Sequence, residues 1–143
     1  MKNKFFDLPV KVEGVLYHII DGKTYILCLK RSEQDGGFWQ PITGTNQSNE
    51  SLEETLVREI NEEVGLEKDQ IEIEQMYFYF NWTKKALMIH EYVYSVKVDS
   101  VNQINLSDEH VDYKWISIDE AIDLFEKNNN KNALVEFKKS HKS

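Results

Sequence analysis

Residues 44–66 read GTNQSNESLEETLVREINEEVGL, and within this stretch lies a helix with both ends marked. Ser51 with Glu54 three residues later is a capping box, in which the two side chains satisfy free backbone N–H groups at the helix start. Gly65 supplies a left-handed residue at the other end, so the spacing predicts a helix over Leu52 to Val64. At about 100° per residue, Leu52, Leu56, Val57, Ile60 and Val64 fall on an arc of roughly 140°, the side a sheet would cover. Glu59, Glu62 and Glu63 occupy the adjoining arc, with Glu63 against the apolar edge. On an exposed face each like-charge pair costs only a few tenths of a kcal/mol. Partly desolvated, at about 6 Å and an effective dielectric near ~20, each costs about 2–3 kcal/mol. A hard divalent cation removes that repulsion, whereas a fully solvated acidic face needs none.

Outward from the helix, the chain alternates between strand and helix signals. Val12 to Ile20 and Thr24 to Lys30 alternate as strands, with Asp21-Gly22 as a tight hairpin turn. Ser32 to Gly37 is a polar, glycine-bearing loop leading into Phe38-Trp39-Gln40-Pro41-Ile42-Thr43. Ile71 to Phe80 and Leu87 to Val98 are rich in β-branched and aromatic residues and read as strands joined by Asn81 to Lys85, and a short strand follows around Tyr113 to Ile116. A second capping box, Ser117 with Glu120, opens a helix over Ile118 to Lys127; Asn128-Asn129-Asn130 reads as a solvated turn before a last helical piece at Ala133 to Lys139. Strands interleaved with helices predict a layered α/β domain, a mixed sheet with helices on both faces.

Composition narrows the class. A chain of 143 residues, 41% hydrophobic, is long enough for one compact domain, so residues 1–143 are read as a single unit. Met1 to Val10 has no sustained apolar stretch, and nowhere do eighteen apolar residues run together, which predicts a cytoplasmic protein with no membrane partner. Cys28 stands alone in an apolar run and reads as a small core residue. Lys+Arg 17 against Asp+Glu 25 gives a net charge of -8, which repels nucleic acid polymers. A free nucleotide remains compatible if a cation bridges it to the protein.

Residues 44–66 also fit G-x5-E-x7-R-E-U-x-E-E-x-G-U, where U is a bulky aliphatic residue, at every fixed position. From ordinary residue usage the chance per starting position is on the order of one in a billion or less, which excludes coincidence. This pattern is the Nudix box, and the chain resembles the Nudix hydrolases. The resemblance implies a Nudix-type α/β/α sandwich with the loop and helix of the box on one face of the sheet. It further implies that Glu59, Glu62 and Glu63 bind divalent ions, Mg²⁺ with Mn²⁺ able to substitute, that Arg58 orients a neighbouring carboxylate, and that Glu50 supports the site from its loop. Paired with Glu54 instead, Arg58 would be an ordinary surface ion pair. The loop residues Thr45 to Asn49 are neutral, whereas many Nudix proteins carry acids there, a departure that bears on substrate range or an accessory metal.

The segments Phe38 to Gly44 and Glu109 to Trp115 are similar to the dihydroneopterin triphosphate and dATP pyrophosphohydrolase branch. That resemblance implies hydrolysis of a purine or pterin triphosphate to a monophosphate and pyrophosphate. It also implies an acid from the loop before the last strand, Glu109, that completes the metal site or acts as base; Glu62 is the other candidate base, and Glu91 the alternate to Glu109. Lys30 and Arg31 at the hairpin end are candidates for phosphate contact. Trp39 and Gln40 are candidates for the substrate pocket, Trp39 as a stacking wall or as core. His90 and His110 have no metal-ligand spacing and read as structural. In Tyr77-Phe78-Tyr79-Phe80, alternate residues face opposite sides of a strand. Other diphosphate linkages, such as dinucleoside polyphosphates or nucleotide sugars, and a nucleotide-sensing module without turnover are the competing readings. The sequence leaves monomer and homodimer equally open.

Overall fold

The computed structural model describes residues 9–141, so the reading of Met1 to Val10 lies outside the described residues except at its end. β1 (Val10–Ile20) and β2 (Lys23–Arg31) form the expected hairpin. Asp21 (φ 51°) and Gly22 (φ 78°) supply the two left-handed residues that a type I′ turn requires. β3 (Trp39–Gln40), β4 (Ile42–Thr45), α1 (Leu52–Val64), β5 (Ile71–Lys84), β6 (Leu87–Val98), β7 (His110–Ser117), α2 (Ile118–Leu124) and α3 (Asn128–Ser140) follow.

Among the described residues the strands make one seven-stranded mixed sheet with β1 as its hub. The second half of β1 pairs antiparallel with β2, and its first half pairs antiparallel with β4. Its other edge runs parallel to β6, from Val10 opposite His90 to Tyr17 opposite Lys97. β5 lies outside β6, while β2 carries β7 and, at its end, β3. Alternation along each strand separates two cores. Val12, Leu16, Leu29 and Tyr94 meet Leu56, Ile60 and Val64 of α1 on one face. Val15, Tyr17, Cys28 and Val93 meet Phe125, Leu134 and Phe137 of the α2 and α3 layer on the other. The result is the α/β/α sandwich. Cys28 is fully buried, and burial pushes its thiol up to about 12.

The structure corrects four local readings. Asn81 to Lys84 continue β5 instead of connecting, because the turn is made by Lys85 (φ 50°) and Ala86 (φ 65°), with Lys84 opposite Leu87. Their polar side chains had the look of a loop. β7 starts at His110, and the run of exposed residues from Val111 to Lys114 that follows hid the strand period. α2 stops at Leu124 because Phe125 turns back to extended backbone and buries its ring. The three asparagines are the first turn of α3, and Asn130 is buried where its amide Nδ2 donates to Glu13 Oε1 at 2.9 Å. Among the described residues, no helix is long and apolar enough to cross a membrane.

Candidate active site

The loop from β4 into α1 is built around Arg58. Its guanidinium grips Glu50 with two bonds, Nε to Oε2 at 2.6 Å and Nη2 to Oε1 at 3.0 Å, the bidentate geometry that distinguishes Arg from Lys. Nη2 also donates to the Thr45 carbonyl at 3.0 Å, and Nη1 reaches Glu59 Oε2 at 2.9 Å and Glu62 Oε1 at 3.4 Å. Glu54 is not its partner: that carboxylate accepts from the Ser51 N–H at 2.8 Å in the capping box. Glu50 further accepts from Thr55 Oγ1 at 2.8 Å and from the Gln47 N–H at 3.1 Å. The Arg58 hydrogen bonds, reinforced by these donors, hold the Glu50 carboxyl down at about 2. A neutral loop thereby acquires a fixed shape, with Thr55 buried on a helix face that apolar spacing alone did not mark.

Beside this clamp lie the box glutamates. Glu63 is buried, Glu59 mostly so, and Glu62 is 57% exposed at its side chain. Burial, a hydrogen bond with Glu59, and the charges of Glu59 and Glu109 push the Glu63 carboxyl up to about 10, with Arg31 partly opposing them. Glu109 therefore stands close enough to act on Glu63, held by its backbone, which donates to Ser107 Oγ and accepts from Ser32 N–H, each at 3.3 Å. Gly44 lies directly beneath Glu59: a Cβ there would stand 2.1 Å from Glu59 Cγ and 2.2 Å from Cδ. A glycine at this position is a steric requirement of the glutamate's place.

Among the described residues, no three His, Cys, Asp or Glu side chains stand arranged to enclose an ion as they are, since Glu59 and Glu62 lean toward Arg58. The donor set nevertheless fits a hard divalent cation. It is all oxygen, and its buried member stays neutral for want of positive charge.

Behind Glu63, His110 is buried, with Nδ1 3.9 Å from Glu63 Oε1 and without a hydrogen-bond partner, and Nε2 3.2 Å from Gln40 Nε2. Burial, with the Arg31 charge, lowers its pKa to about 4, so it is neutral near pH 7 and structural in the sense the sequence suggested. Arg31 and Gln40 also line a cavity of about 520 Å³ on the α2 and α3 face, within the range of small-molecule sites. Phe38, Phe80 and Trp82 are its aromatic walls, and Lys11, Lys84 and Lys127 its cations. Phe38 lies under both Lys127 Nζ, 4.7 Å from its ring centre, and Arg31 Cζ, 5.8 Å away.

Two expected pocket residues stand elsewhere. Trp39 is not among the residues lining this cavity; it packs into the α2 and α3 core with Lys114 Nζ 5.0 Å over its ring. Lys30, one residue before Arg31, points to Glu33 at 3.8 Å and is likewise absent from the lining. Glu91, the alternate to Glu109, shares the face of Val93 and not that of α1; it is buried, and its Oε1 accepts from Trp82 Nε1 at 2.9 Å. It belongs to the cavity and is withdrawn as a ligand of the box site. The sequence reading missed Trp82, Glu13 and Asn130, and it placed Phe80 only within an aromatic run of which half was expected to line a groove. One available signal was Glu13 itself, an acid in phase with the inward Val15 and Tyr17.

A box of three glutamates and a clamped arginine on the first helix of an α/β/α sandwich defines a class, and comparison with known proteins agrees. The chain belongs to the NUDIX family: the NUDIX domain model matches residues 11–137. It is an enzyme of the Nudix pyrophosphohydrolase kind and resembles the dihydroneopterin triphosphate branch. The dihydroneopterin triphosphate diphosphatase of Haemophilus influenzae is 26% identical over 137 residues, covering 87% of this chain and 86% of that one. The asymmetrical bis(5'-nucleosyl)-tetraphosphatase of Rattus norvegicus is 32% identical over 108 residues, 73% of each chain. An octanoyltransferase of Myxococcus xanthus matches at 25% over 121 residues, and there the chain spans only 34% of the relative's length. Among solved structures, a C. elegans Ap4A hydrolase binary complex superposes with a TM-score of 0.83 at 22% identity, covering 93% of this chain and 97% of that one.

Proposed function

We propose that this protein hydrolyses a purine nucleoside triphosphate or a pterin triphosphate to a monophosphate and pyrophosphate, with Mg²⁺ held by Glu59, Glu62, Glu63 and Glu109. The observation that carries it is the intact box in place: Glu63 buried beside Glu59 with the Glu109 charge close by, next to the Arg58–Glu50 clamp. A divalent ion bound here would offset that crowding, draw phosphate oxygens to the same patch, and acidify a coordinated water. The chain's own residues do the rest. Arg58 and Glu50 are positioning residues that fix Glu59 and the loop. Glu109, exposed and beside Glu63, accepts the proton of the attacking water, with Glu62 as the other candidate. Arg31 contacts phosphate between cavity and glutamates, Gln40 steadies the passage, and Lys30 supplies more distant positive charge.

A second reading is cleavage of a dinucleoside polyphosphate, favoured by the 32% identity to the rat tetraphosphatase. A panel of triphosphates, dinucleoside polyphosphates and nucleotide sugars, assayed with Mg²⁺ and with chelator and analysed for products, separates the two. Fastest turnover of a purine or pterin triphosphate with pyrophosphate released, abolished by chelation, supports the proposal. Fastest turnover of a dinucleoside polyphosphate supports the second reading, and binding without any metal-dependent product makes the domain a sensor.

A further inference from the structure

On the sheet face opposite α1, Glu13 and Glu91 form a carboxyl pair inside the protein, at 0% and 3% exposure. They belong to neighbouring parallel strands, β1 and β6, and the box chemistry makes no use of either. Two adjacent buried carboxyls do not both ionise. Glu13 is the one held neutral, by burial first and by Glu91 second. Asn130 Nδ2 donates to Glu13 Oε1 at 2.9 Å, and the neutral Glu13 carboxyl is hydrogen-bonded to Glu91. Glu91 Oε1 accepts from Trp82 Nε1 at 2.9 Å. Glu91, the carboxyl that lines the 520 Å³ cavity, therefore serves as an acceptor, taking Trp82 Nε1 on one oxygen with the neutral Glu13 behind it. Asn130, 7% exposed, lines the same cavity; one N–H of its amide goes to Glu13, and its carbonyl oxygen offers a second acceptor.

A core requiring only packing has no use for a buried carboxyl pair, because taking such groups out of water costs stability. Phe80 and Trp82 stand two residues apart on β5, on the same face as Glu91, and form a wall on which a flat ring can stack. Arg31 and Gln40 carry the cavity to the box: Arg31 acts on Glu63 by charge, and Gln40 touches His110, which in turn faces Glu63. A ring seated against Glu91 thus has its phosphate chain directed toward the glutamates.

We infer that Glu91, backed by Glu13 and joined by Asn130, reads the 2-amino-4-oxopyrimidine edge shared by guanine and pterins. That edge presents a ring N–H and an exocyclic amine side by side, two donors for adjacent acceptors. Adenine presents a ring acceptor beside its amine, and hypoxanthine keeps the ring N–H without the amine; each leaves a buried acceptor opposed or unpaired. The inference rests on the proposed use of this cavity for the base of a hydrolysed nucleotide or pterin, and it narrows that use to one edge.

The test is binding of monophosphates to the full chain in chelator, so that it stands apart from turnover. GMP, IMP and AMP are titrated by calorimetry, with tryptophan fluorescence as a second signal. GMP should bind at least about 10-fold tighter than both IMP and AMP, a ratio typical of one well-placed buried polar contact. Glu91→Gln, which puts a donor beside the incoming donors, should cost GMP about 10-fold and AMP less than about 3-fold. Equal affinities in the wild type, or a Glu91→Gln protein that keeps its GMP preference, overturn the inference. The IMP comparison needs no substitution and decides the matter if Glu91→Gln fails to fold. A guanine preference here with no hydrolysis in the substrate panel would sink the proposed activity alone, while triphosphate hydrolysis without the preference would sink only the edge assignment.

Discussion

At the scale of single residues, position within the site is set by what each side chain is pressed against. Glu63 is buried with His110 behind it and the charges of Glu59 and Glu109 acting on its carboxyl, so Glu63→Gln keeps the shape and removes the proposed anionic ligand. Activity with Mg²⁺ should fall at least about 100-fold with little change in melting temperature. Near-normal turnover of that variant at low Mg²⁺ would remove Glu63 from the metal site. Glu109→Ala should lower kcat by about 100-fold with KM nearly unchanged, as expected for a proton acceptor; a rise in KM alone would make it a binding residue instead. Gly44→Ala gives a separate handle. Its new methyl group would occupy the space of Glu59 Cγ and Cδ, at 2.1 and 2.2 Å. Steady-state kinetics should show a loss of about 10-fold or more, for a stability cost of about 1–3 kcal/mol.

At the scale of elements, α1 and its loop were legible from the sequence because every device that defines them is local. The capping box, Gly65 and the apolar arc each lie within a few residues of the backbone they control. Arg58's grip on Glu50 spans only eight residues and was likewise within reach. What the sequence concealed depends on partners distant along the chain. β4 became a strand through pairing with β1, β5 ran past its polar residues because β6 paired with them, and Asn130 joined a helix that Glu13 helps to anchor. Trp39 took the core alternative and not the stacking wall for a related reason: adjacent strand residues face opposite ways, and spacing alone does not say which faces the cavity. The clamp makes a pH prediction. Glu50 is held below its ordinary pKa, so its share of stability is complete above about pH 4.5 and is lost as pH falls toward about 2. Denaturant melts of wild type and Glu50→Gln should differ by a constant amount above pH 4.5 and converge at lower pH; a difference that grew on acidification would contradict the sign.

At the scale of the whole molecule, the proposed function divides into two tasks on the sheet: glutamate chemistry beside α1, and ring binding in the cavity lined by β5 and α3. The strand that joins them is β1, and its parallel partner β6 begins nearly eighty residues further along the chain, as in the pairing of Val10 with His90. Parallel ladders of this kind demand closure of a long loop before any contact rewards it. The hub of the sheet can therefore form only after two-thirds of the polypeptide is available, whereas α1 and the first hairpin need no such wait. Refolding from denaturant of a variant that keeps only Trp82 of the three tryptophans should then show native fluorescence reached in milliseconds to seconds, well behind the helical signal. A ribosome-bound chain would likewise hold its glutamate helix ready before it owned a pocket for the ring.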